Sequence, residues 1–171
     1  ELPVILLGVR AACGGGVAAV RELMSRTGLP VVETFQAAGA VSRELEHHFL
    51  GRVGLFHNQP GDILLHKADV VLAIGYDAIE YDPHLWNSGG ERTIVNLDEV
   101  LLDIDSNYRP DVELRGDIVA SVRELTDRLS GLELSAASQE IIDTQRSRLG
   151  EASAVPSGDD SQGLNPAFVC L

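Results

Sequence analysis

The chain has 171 residues, 44% of them hydrophobic, which suits one domain with a sizeable core, or one domain and a tail. A formal charge of −13 argues against a nucleic-acid groove, which needs clustered Lys and Arg, and without blocks of like charge the acidity reads as a solvated surface. Cys13 and Cys170 show neither metal spacing nor a disulfide framework, so a reducing, cytoplasmic setting is expected, and nothing signals export or membrane insertion.

Pro3 to Val9 reads as a first strand, with the dry run Val4-Ile5-Leu6-Leu7 closed by Gly8. A small-residue loop, Arg10 to Gly16, leads to a helix ending near Thr27. Val17, Val20, Leu23 and Met24 share its apolar face, and Gly28 is its C-cap. Pro30 opens a second strand through Val31, Val32 and Phe35, followed by the loop Gln36 to Gly39. Ser42 to His48 reads as a helix capped by Ser42. A short third strand is expected over Val53 to Phe56, then a polar turn to Asp62, which caps a short helix through Leu64 and Leu65. Val70 to Ile74 is five apolar residues without polar alternation, the mark of a strand covered on both faces. Asp82 to Gly90 reads as an irregular loop, Thr93 to Leu97 as a strand ending in Asp98 and Glu99, and Val112 to Arg115 as the last strand. Asp117 caps a helix striped by Ile118, Val119, Val122, Leu125 and Leu129. A second late helix, Ser135 to Leu149, has a thin stripe (Ile141, Ile142, Leu149), as for a helix on the surface or against something outside this chain. Gly150 to Gly163 reads as a linker. Five or six strands alternating with helices predict an α/β fold: a doubly wound, six-stranded parallel sheet of Rossmann-like kind.

In such sheets ligands gather at the carboxyl ends of the strands. The residues placed there are Gly8, Arg10, Gln36, Phe56, His57, Asn58, Gln59, Gly75, Asp77 and Asp98. Gly14-Gly15-Gly16 before a helix invites a pyrophosphate at the free N–H groups, or is simply a flexible helix entry; its spacing from Gly8 is not Gly-x-Gly-x-x-Gly. Asp98 suits a ribose hydroxyl, although acidic residues at strand ends are common. Of five histidines none has ligand spacing; adjacent His47 and His48 should point different ways, and His57 sits in the polar turn. Cys13 lies near a helix start, but no base for it can be named. Tyr76 and Trp86 read as packing residues.

Four stretches carry a resemblance: Leu-Pro-Val-Val-Glu-Thr-Phe-Gln-Ala-Ala-Gly at 29–39, Gly-Arg-Val-Gly-Leu-Phe-His-Asn-Gln-Pro-Gly-Asp at 51–62, Ile-Gly-Tyr-Asp-Ala-Ile-Glu-Tyr at 74–81 and Asn-Leu-Asp-Glu at 96–99. Together they resemble the central domain of thiamine-diphosphate-dependent acetolactate synthases, of the catabolic, flavin-free type, over roughly residues 1–132. The resemblance implies a central α/β domain at 1–132, a C-terminal helix at 133–150, and at 151–171 a linker with the truncated start of a diphosphate-binding domain, where Gly163-Leu164-Asn165-Pro166 stands. Both ends then read as cut from a longer polypeptide. The whole enzyme is expected to join two pyruvates into acetolactate with loss of carbon dioxide, on the way to acetoin and butanediol. The resemblance further implies thiamine diphosphate and Mg²⁺ between flanking pyrimidine-binding and diphosphate-binding domains, no FAD, and a homo-oligomer expected to be a tetramer. No catalytic, cofactor or metal residue of the family carries over to a numbered position here, so the piece alone is expected to be inactive. Its turn Phe56 to Asp62 is expected to face the neighbouring domains. The rivals are a dinucleotide-binding module of flavoprotein-like or sirtuin-like kind, and a stand-alone enzyme using Cys13 or His57.

Overall fold

The dry runs and helical stripes assemble around a single parallel sheet. The computed structural model describes residues 1–55, 59–102 and 106–154. The strands are β1 (Pro3–Leu7), β2 (Val31–Thr34), β3 (Phe49–Val53), β4 (Val70–Ile74), β5 (Thr93–Asp98) and β6 (Val112–Arg115). The helices are α1 (Gly16–Thr27), α2 (Pro60–Lys67), the single turn α3 (Pro83–Trp86), α4 (Ile118–Leu129) and α5 (Ala136–Ser153). The strand order is β3-β2-β1-β4-β5-β6, all pairs parallel, with β1 and β4 in register from Pro3↔Val70 to Leu7↔Ile74. The order reverses between β1 and β4, which sets the topological switch point there.

Alternation along β1 divides the core. Val4 and Leu6 join Leu64, Leu65 and Ile142 on one face; Ile5 and Leu7 join Val20, Leu23 and Met24 on the other. Both faces are dry, so the central strands need no polar positions. The aromatic residues form a plug on the first face: Tyr76, Trp86 and Tyr108 meet edge to face at 5.3–6.1 Å, each fully buried. Trp86 Nε1 donates to the Tyr76 hydroxyl (3.3 Å), which donates to the Tyr81 carbonyl.

Several boundaries correct the sequence reading. The third strand is Phe49–Val53, not Val53 to Phe56. Phe49 pairs with Val31 and Val53 with Thr34, so the apolar residues before Gly51 supply the pairing; Phe56 lies outside the described residues. Ser42 makes no side-chain cap, and Arg43–His48 is a 3-10 helix with no buried residue. A short polar stretch with no apolar stripe has no packing reason to hold an α-helix. It also brings His47 and His48 together, with ring centroids 3.9 Å apart, instead of turning them apart. Phe35 leaves β2 for a 3-10 turn, Phe35–Ala37. Gln59 is the N-cap of α2; Asp62 is three residues in, its carboxylate accepting the Gln59 N–H at 3.1 Å. In the stretch read as irregular, Asp82 caps α3 through the His84 N–H (2.9 Å).

The thin stripe of α5 is enough because the helix lies over α2 and β3 of this same chain. Ile142 and Gln145 are buried, Ser138 Oγ donates to the Glu1 carbonyl (2.8 Å), and Arg146 Nε donates to the His47 carbonyl (3.1 Å). The expected cap of α4 is present: Asp117 Oδ1 accepts the Ala120 N–H at 2.7 Å. Asp117→Ala should lower the unfolding free energy by about 1 kcal/mol in urea titration. Among the described residues no helix is long and apolar enough to cross a membrane.

Candidate functional site

At the switch point the loops after β1 and β4 press on each other. Gly8 N–H bonds the Ile74 carbonyl (3.0 Å), Arg10 N–H the Gly75 carbonyl (3.1 Å), and Gly75 N–H the Leu97 carbonyl (2.9 Å). A Cβ on Gly8 would collide with the Gly75 carbonyl oxygen and Tyr76 Cα; one on Gly75, whose φ is +58°, would collide with the Ala11 nitrogen. Both positions therefore need glycine for backbone approach. Gly16 has a related reason: its Cβ would clash with the Ala11 carbonyl, so packing of the loop on itself accounts for that glycine without a pyrophosphate.

Arg10 reaches across the ends of β4 and β5. Its Nε donates to both oxygens of Asp98 (2.9 and 3.0 Å), one terminal nitrogen to Asp98 (2.6 Å) and the Tyr76 carbonyl (2.8 Å), and the other to Asp77 (2.9 Å). The Asp98 side chain is 3% exposed and the Asp77 side chain 37%. Hydrogen bonding to Asp98 leads in pushing the Arg10 pKa above its already high value, against partial burial. The Asp77 carboxyl is held below its usual range first by the Ile79 N–H and then by Arg10.

Glu80, 7% exposed, closes the other side. Its carboxylate accepts the N–H groups of Val9 (3.1 and 3.2 Å) and Asp77 (3.2 Å) and the Thr34 hydroxyl. Backbone N–H groups at strand ends are what an anionic ligand would use. Here an internal carboxylate takes them, and Arg10, the cation that would hold a phosphate, is already spent on two carboxylates.

Five of the ten residues placed at the strand ends therefore come together: Gly8, Arg10, Gly75, Asp77 and Asp98. Gln36 is exposed in the 3-10 turn after β2, and Gln59 is exposed at the start of α2. Phe56, His57 and Asn58 lie outside the described residues. Cys13 is exposed, its Sγ donating to the Val9 carbonyl (3.2 Å). Sequence reasoning missed Glu80 and Thr34. The one available signal for Glu80 was its position three residues after Asp77 in a tight turn. Among the described residues no group of three or more His, Cys, Asp or Glu could hold a metal ion.

The topology and the site define a class: a doubly wound, Rossmann-like α/β domain whose crevice is closed by its own Arg10 and Glu80. Residues 1–125 match the family model described as thiamine pyrophosphate enzyme, central domain, and the chain belongs to that family. It is 46% identical over 166 residues to an acetolactate synthase of Bacillus subtilis (strain 168), covering 97% of this chain and 29% of that protein. It is 38% identical over 148 residues to a catabolic acetolactate synthase of Raoultella terrigena, covering 85% and 26%. An acetolactate synthase of Mycobacterium avium is 28% identical over 131 residues, covering 74% and 20%. The chain thus spans less than a third of the length of these relatives. The family match and the filled crevice leave the rival dinucleotide-binding reading unsupported.

The family implies thiamine diphosphate, with a metal ion. The residues at this crevice do not fit it: the strand-end N–H groups and the nearest guanidinium are already satisfied by Glu80, Asp98 and Asp77.

Proposed function

We propose that the chain is the non-catalytic central domain of an acetolactate synthase that joins two pyruvates into acetolactate with loss of carbon dioxide. Thiamine diphosphate and Mg²⁺ belong, in this reading, to flanking pyrimidine-binding and diphosphate-binding domains. The full enzyme is a cytoplasmic homotetramer that does not use FAD. The observation that carries the reading is the crevice: its strand-end donors are turned inward to Glu80 and its cation to Asp98, so the domain is built as a scaffold. The 46% identity to a protein named acetolactate synthase supplies the activity. The division into a central domain at 1–132, a C-terminal helix and a connecting segment is part of the proposal, with one boundary corrected: the helix expected to end at 150 runs on to Ser153, so the connecting segment starts after it. The docking of α5 on α2 and β3 supports treating that helix as an outer layer of the same unit.

The test is carbon dioxide release from pyruvate with thiamine diphosphate and Mg²⁺. The full-length polypeptide should be active and the 171-residue chain inactive. Activity in the chain alone, or none in the full-length protein, would overturn the reading. The polar turn Phe56–Asp62 is proposed to face the neighbouring domains and wall the entrance to their active site. Its exposed end at Gln59, directly before α2, is consistent with that. Alanine at Asn58 and Gln59 together should then change the pyruvate KM or weaken the tetramer; unchanged kinetics and an unchanged tetramer would remove the idea.

A further inference from the structure

Thr34 points to the face that holds Glu80, and its neighbour Glu33 points to the other, into a second feature. There, between β2, β3 and the 3-10 helix Arg43–His48, lies a cavity of about 420 Å³. Glu33 forms its inner end and is 2% exposed. One of its oxygens is 3.2 Å from Nε of Arg52; the other, Oε2, is shut away from water and accepts no hydrogen bond. A buried carboxylate oxygen without a donor costs about as much free energy as a lost hydrogen bond. Burial raises the Glu33 pKa to about 7, against the pull of Arg52 and of the Val41 and Gly39 backbone. Glu33 stands opposite Arg52 in the β2–β3 register, and that pairing accounts for one oxygen of the carboxylate. The backbone of Val41 and Gly39 lies near the carboxylate but closes no hydrogen bond to Oε2, which stays open to a donor on a bound molecule.

The lining says what kind of molecule brings it. Two carboxylates, Glu33 and Glu46, stand with two guanidiniums, Arg43 and Arg52, and Ser42 adds a hydroxyl. A simple cation would meet both guanidiniums, and a simple anion both carboxylates. A small molecule carrying both charges finds a complement at each end, and Val41 and Phe49 give it an apolar wall. From this geometry we infer that the cavity binds a small zwitterion of the free α-amino acid class, its ammonium pairing with the Glu33 carboxylate once that side chain turns toward the cavity and its carboxylate taken by Arg52. Arg52 is half-exposed, and its contact with Glu33 uses Nε, which leaves its terminal N–H groups for a carboxylate fork. Binding fixes Glu33 in its charged form, so near neutral pH the complex releases a proton. Nothing in this site depends on the reaction proposed above.

Calorimetric titration of the full-length polypeptide at pH 7 tests it, with glycine and L-alanine as probes and methylammonium and acetate as half-ligands. The amino acids should bind saturably, and heats in buffers of different ionisation enthalpy should show proton release. Neither half-ligand should bind at the same concentrations. Glu33→Gln, which keeps the side chain's shape, and Arg52→Gln, which keeps Glu33, should each weaken binding about tenfold or more. No binding, binding untouched by Glu33→Gln, or methylammonium binding as tightly as glycine would overturn the inference.

Discussion

Replacing Arg10 with methionine should lower the unfolding free energy by about 3–5 kcal/mol in urea titration at neutral pH. The reason is the Asp98 carboxylate, 3% exposed at the end of β5, which would be left without its counter-ion inside the switch point. The Tyr76 carbonyl would lose a donor in the same step. Arg10→Lys should recover part of the loss, because an ammonium restores the charge but not the fork. Asp77 is more exposed, so Asp77→Asn should cost no more than about 1 kcal/mol. The Asp77 pKa is depressed in the fold, so its small contribution is present above the ordinary Asp range and fades as pH falls through the lowered value. A residue kept for a bound ligand would behave differently: removing it from ligand-free protein would be nearly neutral. An Arg10→Met protein within 1 kcal/mol of the parent would therefore reopen the crevice as a binding site.

What could be read from the residues follows from how local each feature is. The unbroken apolar runs of β1 and β4 are too short for a buried helix, and so reveal strands buried on both faces. Gly28 and Asp117 act within one turn of their own helices, and both ends lie where the sequence puts them. β3 was displaced because Gly51 and Gly54 interrupt its apolar pattern, and pairing to Val31, from a distant stretch, chooses the frame. The site divides in the same way. Position after a strand identifies Arg10 as a residue of the crevice, but its partner lies 88 positions away and turns it inward. Glu80 gathers Val9 and Thr34 from distant stretches and Asp77 from its own turn, so local spacing could announce only the last of these contacts. Glu33 did leave a mark, a charge inside an apolar strand, and its meaning depends on which face of β2 it takes.

Glu33→Gln should make the protein more stable, and only above mildly acidic pH. The folded state raises the Glu33 pKa from 4.5 to about 7, chiefly by burial. The fold therefore favours the protonated carboxyl. Below pH 4.5 both states hold the proton and no penalty exists; as pH rises the unfolded chain releases it first, stability falls through the window from 4.5 to 7, and above that the loss is constant. At about 1.4 kcal/mol per pKa unit the ceiling is roughly 3 kcal/mol, and solvent at the cavity mouth reduces it to about 1–3 kcal/mol. Glutamine carries no charge yet still offers an oxygen to Arg52. The difference in unfolding free energy between variant and parent should thus be near zero at pH 4 and grow to its full value by pH 8. A difference that does not change with pH would mean that Glu33 ionises in the fold as freely as in water. Stabilisation of the variant at pH 8 together with loss of amino-acid binding would tie the cost of the Glu33 charge to the cavity.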